Sequence, residues 1–270
     1  MKRACILYKR EDAEKNGVLI RKYFSALAGA GLSPGLLITD RLPYADVLAA
    51  AEGAELVINR TRDFKLARFL ERAGLFVSNP AFVNETANDK LLTFERLSPI
   101  VPMLDTRLIE GAEPPFEFPF VAKPAGGHGG RGVTLVRNEN DLAAYLAAQS
   151  GRSIAQPLAT DLGRDMRVYV IGGRPAAAML RVSSTDFRSN FSLGGRAETV
   201  PLSALLPDER SIVEAVCREL PLHYAGVDIM RDRGRAVLNE IEDPVGARML
   251  YINTDIDPAA LHVKYCLDTV

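Results

Sequence analysis

The chain has 270 residues, 47% of them hydrophobic and 25% charged, with a formal net charge of −1. Such a length holds one large domain or roughly two to three small ones with real cores, and the near-zero charge removes any global electrostatic case for nucleic acid or an anionic membrane. Cys5, Cys217 and Cys266 are odd in number, widely spaced and without histidine at metal spacing, so they read as reduced thiols filling apolar positions rather than as a disulfide scaffold.

The first residues contain only a four-residue apolar run before charges return, too short for a signal-peptide core or a membrane span, and the expected compartment is the cytoplasm. Ala4 to Tyr8 reads as a buried strand. Asp12 to Gly31 reads as a helix, with Val18, Leu19, Tyr23, Phe24 and Leu27 at helical spacing before a glycine stop. Gly35 to Thr39, Glu55 to Asn59 and Leu75 to Ser78 read as strands, separated by helices at Tyr44 to Ala51 and Asp63 to Ala73. Strands alternating with helices imply a small parallel α/β layer. Asn84 to Leu97 is expected as one helix, and the five prolines between Pro99 and Pro119 suit a linker. Thereafter the pattern changes to hairpins: Met166 to Ile171 and Ala176 to Val182 joined through Gly172 and Gly173, then a helix at Asp208 to Leu220, strands at Gly226 to Met230 and Ala236 to Glu242, and a closing helix at Pro258 to Leu267.

Between the two halves stands F-P-F-V-A-K-P-A-G-G-H-G-G-R-G-V-T-L-V-R, Phe118 to Arg137, where five of the nine residues after Lys123 are glycine. Glycine so concentrated marks positive φ or close approach of the backbone to something bulky. Gly127, Gly129 and Gly132 fit G-x-G-x-x-G, but the dinucleotide fingerprint opens a helix and here a strand follows. A Walker A loop needs lysine where Val133 stands. What remains is a hairpin lid whose backbone N–H groups can fold over phosphates, with Lys123 at its base as a point charge, against the plainer reading of a glycine-rich hairpin tip without a ligand.

Asp228 on one strand and Glu240 and Glu242 on the next form a candidate metal set. Residues two apart on a strand leave the same face, and pairing through a turn around Asp232 to Gly234 brings Asp228 opposite them. Three such carboxylates repel unless a hard cation neutralises them, and oxygen ligands beside phosphates are the usual magnesium arrangement.

Nine segments stand in order: I-N-R-T-R-D, N-E-T-A-N-D-K, F-V-A-K-P-A-G-G-H-G-G-R-G-V, I-A-Q-P-L, G-R-D-M-R-V-Y-V, A-M-L-R-V, D-F-R-S-N-F-S-L-G-G, A-G-V-D-I-M and L-N-E-I-E-D-P. In that order, from about Asn59 to Met249 and with twelve positions from Asp228 to Glu240, the chain resembles an ATP-grasp carboxylate–amine ligase of the RimK type, similar to ribosomal-protein glutamate ligases and glutathione synthetases. The resemblance implies an ATP-grasp fold, α/β in class (α+β overall): a parallel α/β domain over 1–80, a central lobe with the glycine lid over 81–157, and a C-terminal lobe with the metal site over 158–270, the two lobes holding ATP between them. It implies that Lys90 and Lys123 contact the nucleotide phosphates and that Gly127, Gly130 and Gly132 form the mobile lid. By the same resemblance Gln156, Pro157 and Leu158 meet the adenine, and Asp165 lies near the ribose or the acceptor end. Arg188 and Asn190 stand beside the transferred phosphoryl group, Arg181 next to the acyl phosphate or substrate carboxylate, and Asp228, Glu240 and Glu242 hold Mg2+, with Mn2+ as the alternative ion.

The implied reaction is ATP-dependent amide formation through an acyl phosphate, the substrates being small-molecule or peptide carboxylates and amines, with no nucleic acid or membrane partner and compatibly with a homo-oligomer. Glu242 departs from the family, which usually has asparagine there, and D-P-V-G-A-R-M-L-Y replaces the usual small-residue run. A grasp-fold kinase, and a nucleotide-binding grasp protein that no longer ligates, therefore stay open at the level of sequence.

Overall fold

The computed structural model describes residues 2–183 and 196–270. Its first layer comprises β1 (Arg3–Tyr8), α1 (Arg10–Lys15), α2 (Gly17–Gly29), β2 (Ser33–Ile38), α3 (Tyr44–Ala51), β3 (Ala54–Asn59), α4 (Phe64–Arg72) and β4 (Val77–Ser78). The four strands pair in parallel in the order β2-β1-β3-β4. The helix expected from Asp12 to Gly31 is two helices. Asn16 leaves helical geometry at ψ 21°, and its side-chain amide bonds back to the Asp12 carbonyl at 2.7 Å, so the chain turns before Gly17 starts again.

A second division falls within Asn84 to Leu97. There α5 (Ala81–Ala87) and α6 (Lys90–Leu97) are separated because the Asp89 carboxylate accepts from the N–H groups of Leu91 and Leu92 at 3.0 and 3.1 Å. An aspartate in that position ends one helix and caps the next. The consequence reaches the site, because Lys90 becomes the first residue of a helix instead of an interior one.

The middle lobe holds β5 (Arg107–Leu108), β6 (Phe120–Pro124), β7 (Thr134–Val136), α7 (Glu139–Ala148) and β8 (Ser153–Pro157), with strands antiparallel in the order β5-β8-β6-β7. Phe120, Val136, Leu142 and Tyr145 fill its core. The third unit holds β9 (Arg164–Ile171), β10 (Arg174–Val182), β11 (Arg196–Val200), α8 (Pro207–Glu219), β12 (Tyr224–Asp232), β13 (Arg235–Glu242), α9 (Arg248–Asn253) and α10 (Pro258–Thr269). Its five strands run antiparallel in the order β11-β10-β9-β12-β13.

Alternation explains the cores. In β1, Ala4, Ile6 and Tyr8 face α2 while Cys5 and Leu7 face α3 and α4, as a parallel sheet covered on both sides requires. The last helix, α10, does not stay with the third unit: Ala259, Val263 and Cys266 pack beside Leu19, Tyr23 and Leu27 on the first sheet. Cys5, Cys217 and Cys266 are unpaired, and burial pushes the Cys266 thiol up to about 12. His223 and His262 are packing residues as well, both buried and sharing the Ser78 hydroxyl at 3.0 and 2.7 Å. Among the described residues no helix is long and apolar enough to cross a membrane.

Candidate active site

Two faces of the five-stranded sheet divide by chemistry. Val168, Val227, Ile229, Leu238 and Ile241 enter the apolar core under α8, so Asp165, Arg167, Asp228, Glu240 and Glu242 are left on the other side. Across neighbouring strands Arg181 is the register partner of Asp165, Arg167 of Asp228, and Asp228 of Glu240. Directly opposed side chains on one face touch, and a ladder results in which two pairs of opposite charge lead to the like-charged pair Asp228 and Glu240.

That ladder depends on one irregularity. The turn at Arg233 and Gly234, both at positive φ (49° and 77°), sets Asp232 opposite Arg235, a register that would place Asn239 opposite Asp228. A bulge between Asp228 and Ile229 brings Glu240 there instead. Because side chains alternate at every residue, the single inserted position turns Glu240 and Glu242 onto the face of Asp228. One carboxylate oxygen from each of the three lies within 4.8 Å of the others.

Asp228 is fully buried. Its Oδ1 accepts from Arg167 Nε at 2.7 Å, and its Oδ2 accepts from Arg167 Nη2 and Arg181 Nη2, both at 2.6 Å. Burial opposes its ionisation, but the two guanidiniums prevail and hold its carboxyl below the usual carboxylate range. Arg167 Nη2 also reaches Glu242 Oε2 at 3.0 Å, and Arg181 is further held by Asp165 through Nε at 2.7 Å and a second bond from Nη2. Gly226 makes room for this packing: a Cβ there would lie 3.3 Å from Arg167 Nε and 3.0 Å from Val245 Cγ2.

A cleft of about 860 Å³, measured out to its mouth, opens between this face and the middle lobe, within the size range of small-molecule sites. Lys90 and Lys123 line it together with Glu240, Asp165 and Arg181. Lys90 donates to the Gly127 carbonyl of the lid and stands 3.7 Å from Glu240. Lys123 is 7% exposed; burial, and then the like charge of Lys90, push its ammonium down to about 8 against the pull of Glu240. Leu104, Val121, Pro157, Leu162 and Met230 give the cleft an apolar slot of the kind a flat base fills. Gln156 and Pro157 reach it and Leu158 does not, Ala159 lining the wall in its place. The Gln156 side chain is directed at Thr106, donating to its hydroxyl at 2.8 Å.

The lid joins β6 to β7, which pair antiparallel as expected. Its glycines have distinct causes. Gly130 and Gly132 sit at φ 73° and 70°, whereas at Gly127 the constraint is space, a Cβ coming 3.3 Å from Pro124 Cβ. His128 at the tip is shifted toward the neutral form by burial and by Arg62 and Lys90. Arg188 and Asn190 lie outside the described residues.

Three side chains that line the openings of this site were given no role by the sequence. Arg167 was within reach of it: Asp165 and Arg167 are two apart on one strand and therefore share a face. Arg60 and Arg62 carry a weaker signal, two arginines directly after β3. They line a second opening of about 1410 Å³ that also takes in Arg131, Arg167, Arg181, Glu242 and Arg248.

Two lobes closing on such a cleft, one bringing a glycine lid and lysines and the other a carboxylate cluster, define a protein of the ATP-grasp class. Residues 102–265 match the family model of the RimK-like ATP-grasp domain. The chain is 27% identical over 267 residues to a probable alpha-L-glutamate ligase of Maridesulfovibrio salexigens, covering 96% of this chain and 79% of that one. It is also 26% identical over 252 residues to the uncharacterized protein MG011 of Mycoplasma genitalium, covering 92% and 86%. The crystal structure of a RimK domain ATP-grasp protein from Sphaerobacter thermophilus shares the fold at a TM-score of 0.76 and 19% identity, over 97% of this chain and 98% of that one. The chain belongs to the RimK-like ATP-grasp family, and it is an ATP-dependent carboxylate–amine ligase.

Proposed function

We propose that this ligase activates a carboxylate as its acyl phosphate and passes it to an amine, with an amino acid or peptide on one side of the bond, and that it does so with the residues of the cleft just described. The observation that carries the reading is the carboxylate cluster, its oxygens within 4.8 Å of one another, on the wall of a cleft that also holds Lys90 and Lys123. Glu240 and Glu242 keep 18% and 17% of their side chains exposed, and Glu242 bonds Arg167 through Oε2 alone, whereas both oxygens of Asp228 are taken by guanidinium. This hard, all-oxygen set suits Mg2+ or Mn2+, which when bound supplies charge neutralisation at the phosphates.

The rest follows from the chain's own groups. Lys123 and Lys90 hold the phosphates, and the slot beside Pro157 holds the base. An oxygen of the acid attacks the γ-phosphorus, the bond to the β-phosphate oxygen breaks, and ADP leaves. Arg181, fixed by Asp165 and Asp228, faces both openings and needs no reorganisation to hold the charge of the acyl phosphate. Arg188 and Asn190 are assigned to the transferred phosphoryl group. The lid of Gly127, Gly130 and Gly132 keeps water from the acyl phosphate until the amine displaces phosphate from the carbonyl carbon. No protein nucleophile is required.

The test is an ADP-release screen of the purified chain over acids and amines with Mg2+, followed by hydroxylamine in place of the amine. A hydroxamate formed only with ATP and the right acid is the expected result. ATP binding with no turnover for any acid and amine would sink the reading.

A further inference from the structure

The second opening has a feature that ATP chemistry does not use. Arg60 is 3% exposed; its Nε donates to the Tyr8 hydroxyl at 3.4 Å and its Nη2 to the Val245 carbonyl at 2.5 Å. Among the described residues no carboxylate pairs with it. Asp243, near enough to feel its charge, is taken up by the side-chain amides of Asn79 and Asn84, each at 2.8 Å. Beside Arg60, Arg62 reaches Asp12 through Nη1 at 3.2 Å, while its Nε is buried and has no hydrogen-bond partner. A buried cation without a counter-ion, next to a buried donor without an acceptor, is costly unless something anionic completes both.

We propose that this opening is the acid-substrate site and that the acid is a compact polyanion, a tricarboxylate or a phosphorylated carboxylic acid, whose reacting carboxylate lies toward Arg181 and whose other anionic groups lie on Arg60 and Arg62. The proposal rests on the ligase reading above and adds the substrate class. Position supports it, since Arg181 lines both this opening and the nucleotide cleft, so one molecule spans from the arginines after β3 to the phosphoryl group. The anions of the opening also bear on it. Asp12 and Glu242, which line it, are each engaged by a guanidinium, Arg62 at 3.2 Å and Arg167 at 3.0 Å. Against these two partly engaged carboxylates the same lining carries Lys15 and the six arginines Arg60, Arg62, Arg131, Arg167, Arg181 and Arg248, so an α-amino acid, with its ammonium group, is a poorer occupant than an acid carrying negative charge alone.

The experiment is calorimetric titration of the purified chain, with Mg2+ and a non-hydrolysable ATP analogue present, using tricarballylate, 3-phosphoglycerate, glutarate and L-glutamate. One of the first two is expected to bind about tenfold or more tightly than either of the last two, the usual worth of an added charge-assisted contact. Preference for tricarballylate assigns a tricarboxylate, and preference for 3-phosphoglycerate a phosphorylated acid. Arg62→Gln, a half-buried position, is expected to remove that preference while analogue binding stays within about twofold; Arg60→Lys, which keeps the buried cation, is expected to lower it severalfold. Equal binding of L-glutamate or glutarate, or an Arg62→Gln chain with the preference intact, overturns the inference and leaves the ligase reading standing. A chain that binds no analogue overturns both.

Discussion

Replacing Arg167 by methionine tests the charge ladder most directly. The change removes the donors to Asp228 at 2.7 and 2.6 Å and to Glu242 at 3.0 Å, leaving a carboxylate with no exposed surface to Arg181 alone. Breaking a buried ion pair from one side costs about 3–5 kcal/mol. With roughly 2–4 °C of midpoint per kcal/mol for chains near this size, the expected fall is about 6–20 °C. Thermal unfolding followed by circular dichroism without metal reads it. The charge removed is of the sign a divalent ion supplies, so millimolar Mg2+ should raise the midpoint of the variant more than that of the parent. Two results refute the reasoning: a fall of less than about 2 °C, which would mean that the pair contributes far less than buried pairs do, or a variant that gains no more from Mg2+ than the parent.

Other outcomes follow from single residues. Lys123 has its ammonium pushed down to about 8, below its unfolded value, so the unfolded chain binds more protons between the two and the apo-protein should gain stability as pH rises from about 8 to about 10.5. Over the same rise nucleotide affinity should fall, because the neutral amine no longer holds phosphate, and Lys123→Arg should flatten that fall in a fluorescent-ADP titration. Glu242→Asn should weaken Mn2+ binding, read by paramagnetic resonance, by at least about tenfold, the loss typical of altering even an outer partner of a metal; unchanged affinity removes Glu242 from the ligand set. Gly132→Ala places a Cβ 2.9 Å from Pro124 Cγ at φ 70° and should cost about 1–2 kcal/mol of lid geometry, seen as a raised KM for ATP and a fall of about 2–8 °C in the unfolding midpoint.

The alternation of strands and helices in the first eighty residues, the glycine hairpin and the acidic pair on β13 were legible because each rests on local periodicity. The facing of Asp228 was legible only in outline. Asp228 stands five residues before Arg233 and Glu240 seven after it, and for a two-residue turn that inequality requires an inserted position, which the bulge supplies. Local pattern did not disclose the breaks at Asn16 and Asp89, because a polar side chain that bonds its own backbone competes with the helix only when its rotamer allows. Arg60 and Arg62 gained meaning only once β3 was set beside β1 and the lid was folded over both, a matter of tertiary approach that spacing does not encode.

The seat of α10 has a consequence for how the chain is made. Part of the apolar face of β1, Ala4, Ile6 and Tyr8, is covered by residues at Ala259, Val263 and Cys266. At about 5–20 residues per second of synthesis, the interval between Tyr8 and Pro258 is roughly 12–50 s, during which the first strands wait with that surface uncovered. A layer that comes first in sequence is thus among the last to be completed, and an interrupted chain would leave the nascent sheet, already carrying Arg60 and Arg62, open to pairing with whatever apolar surface it meets.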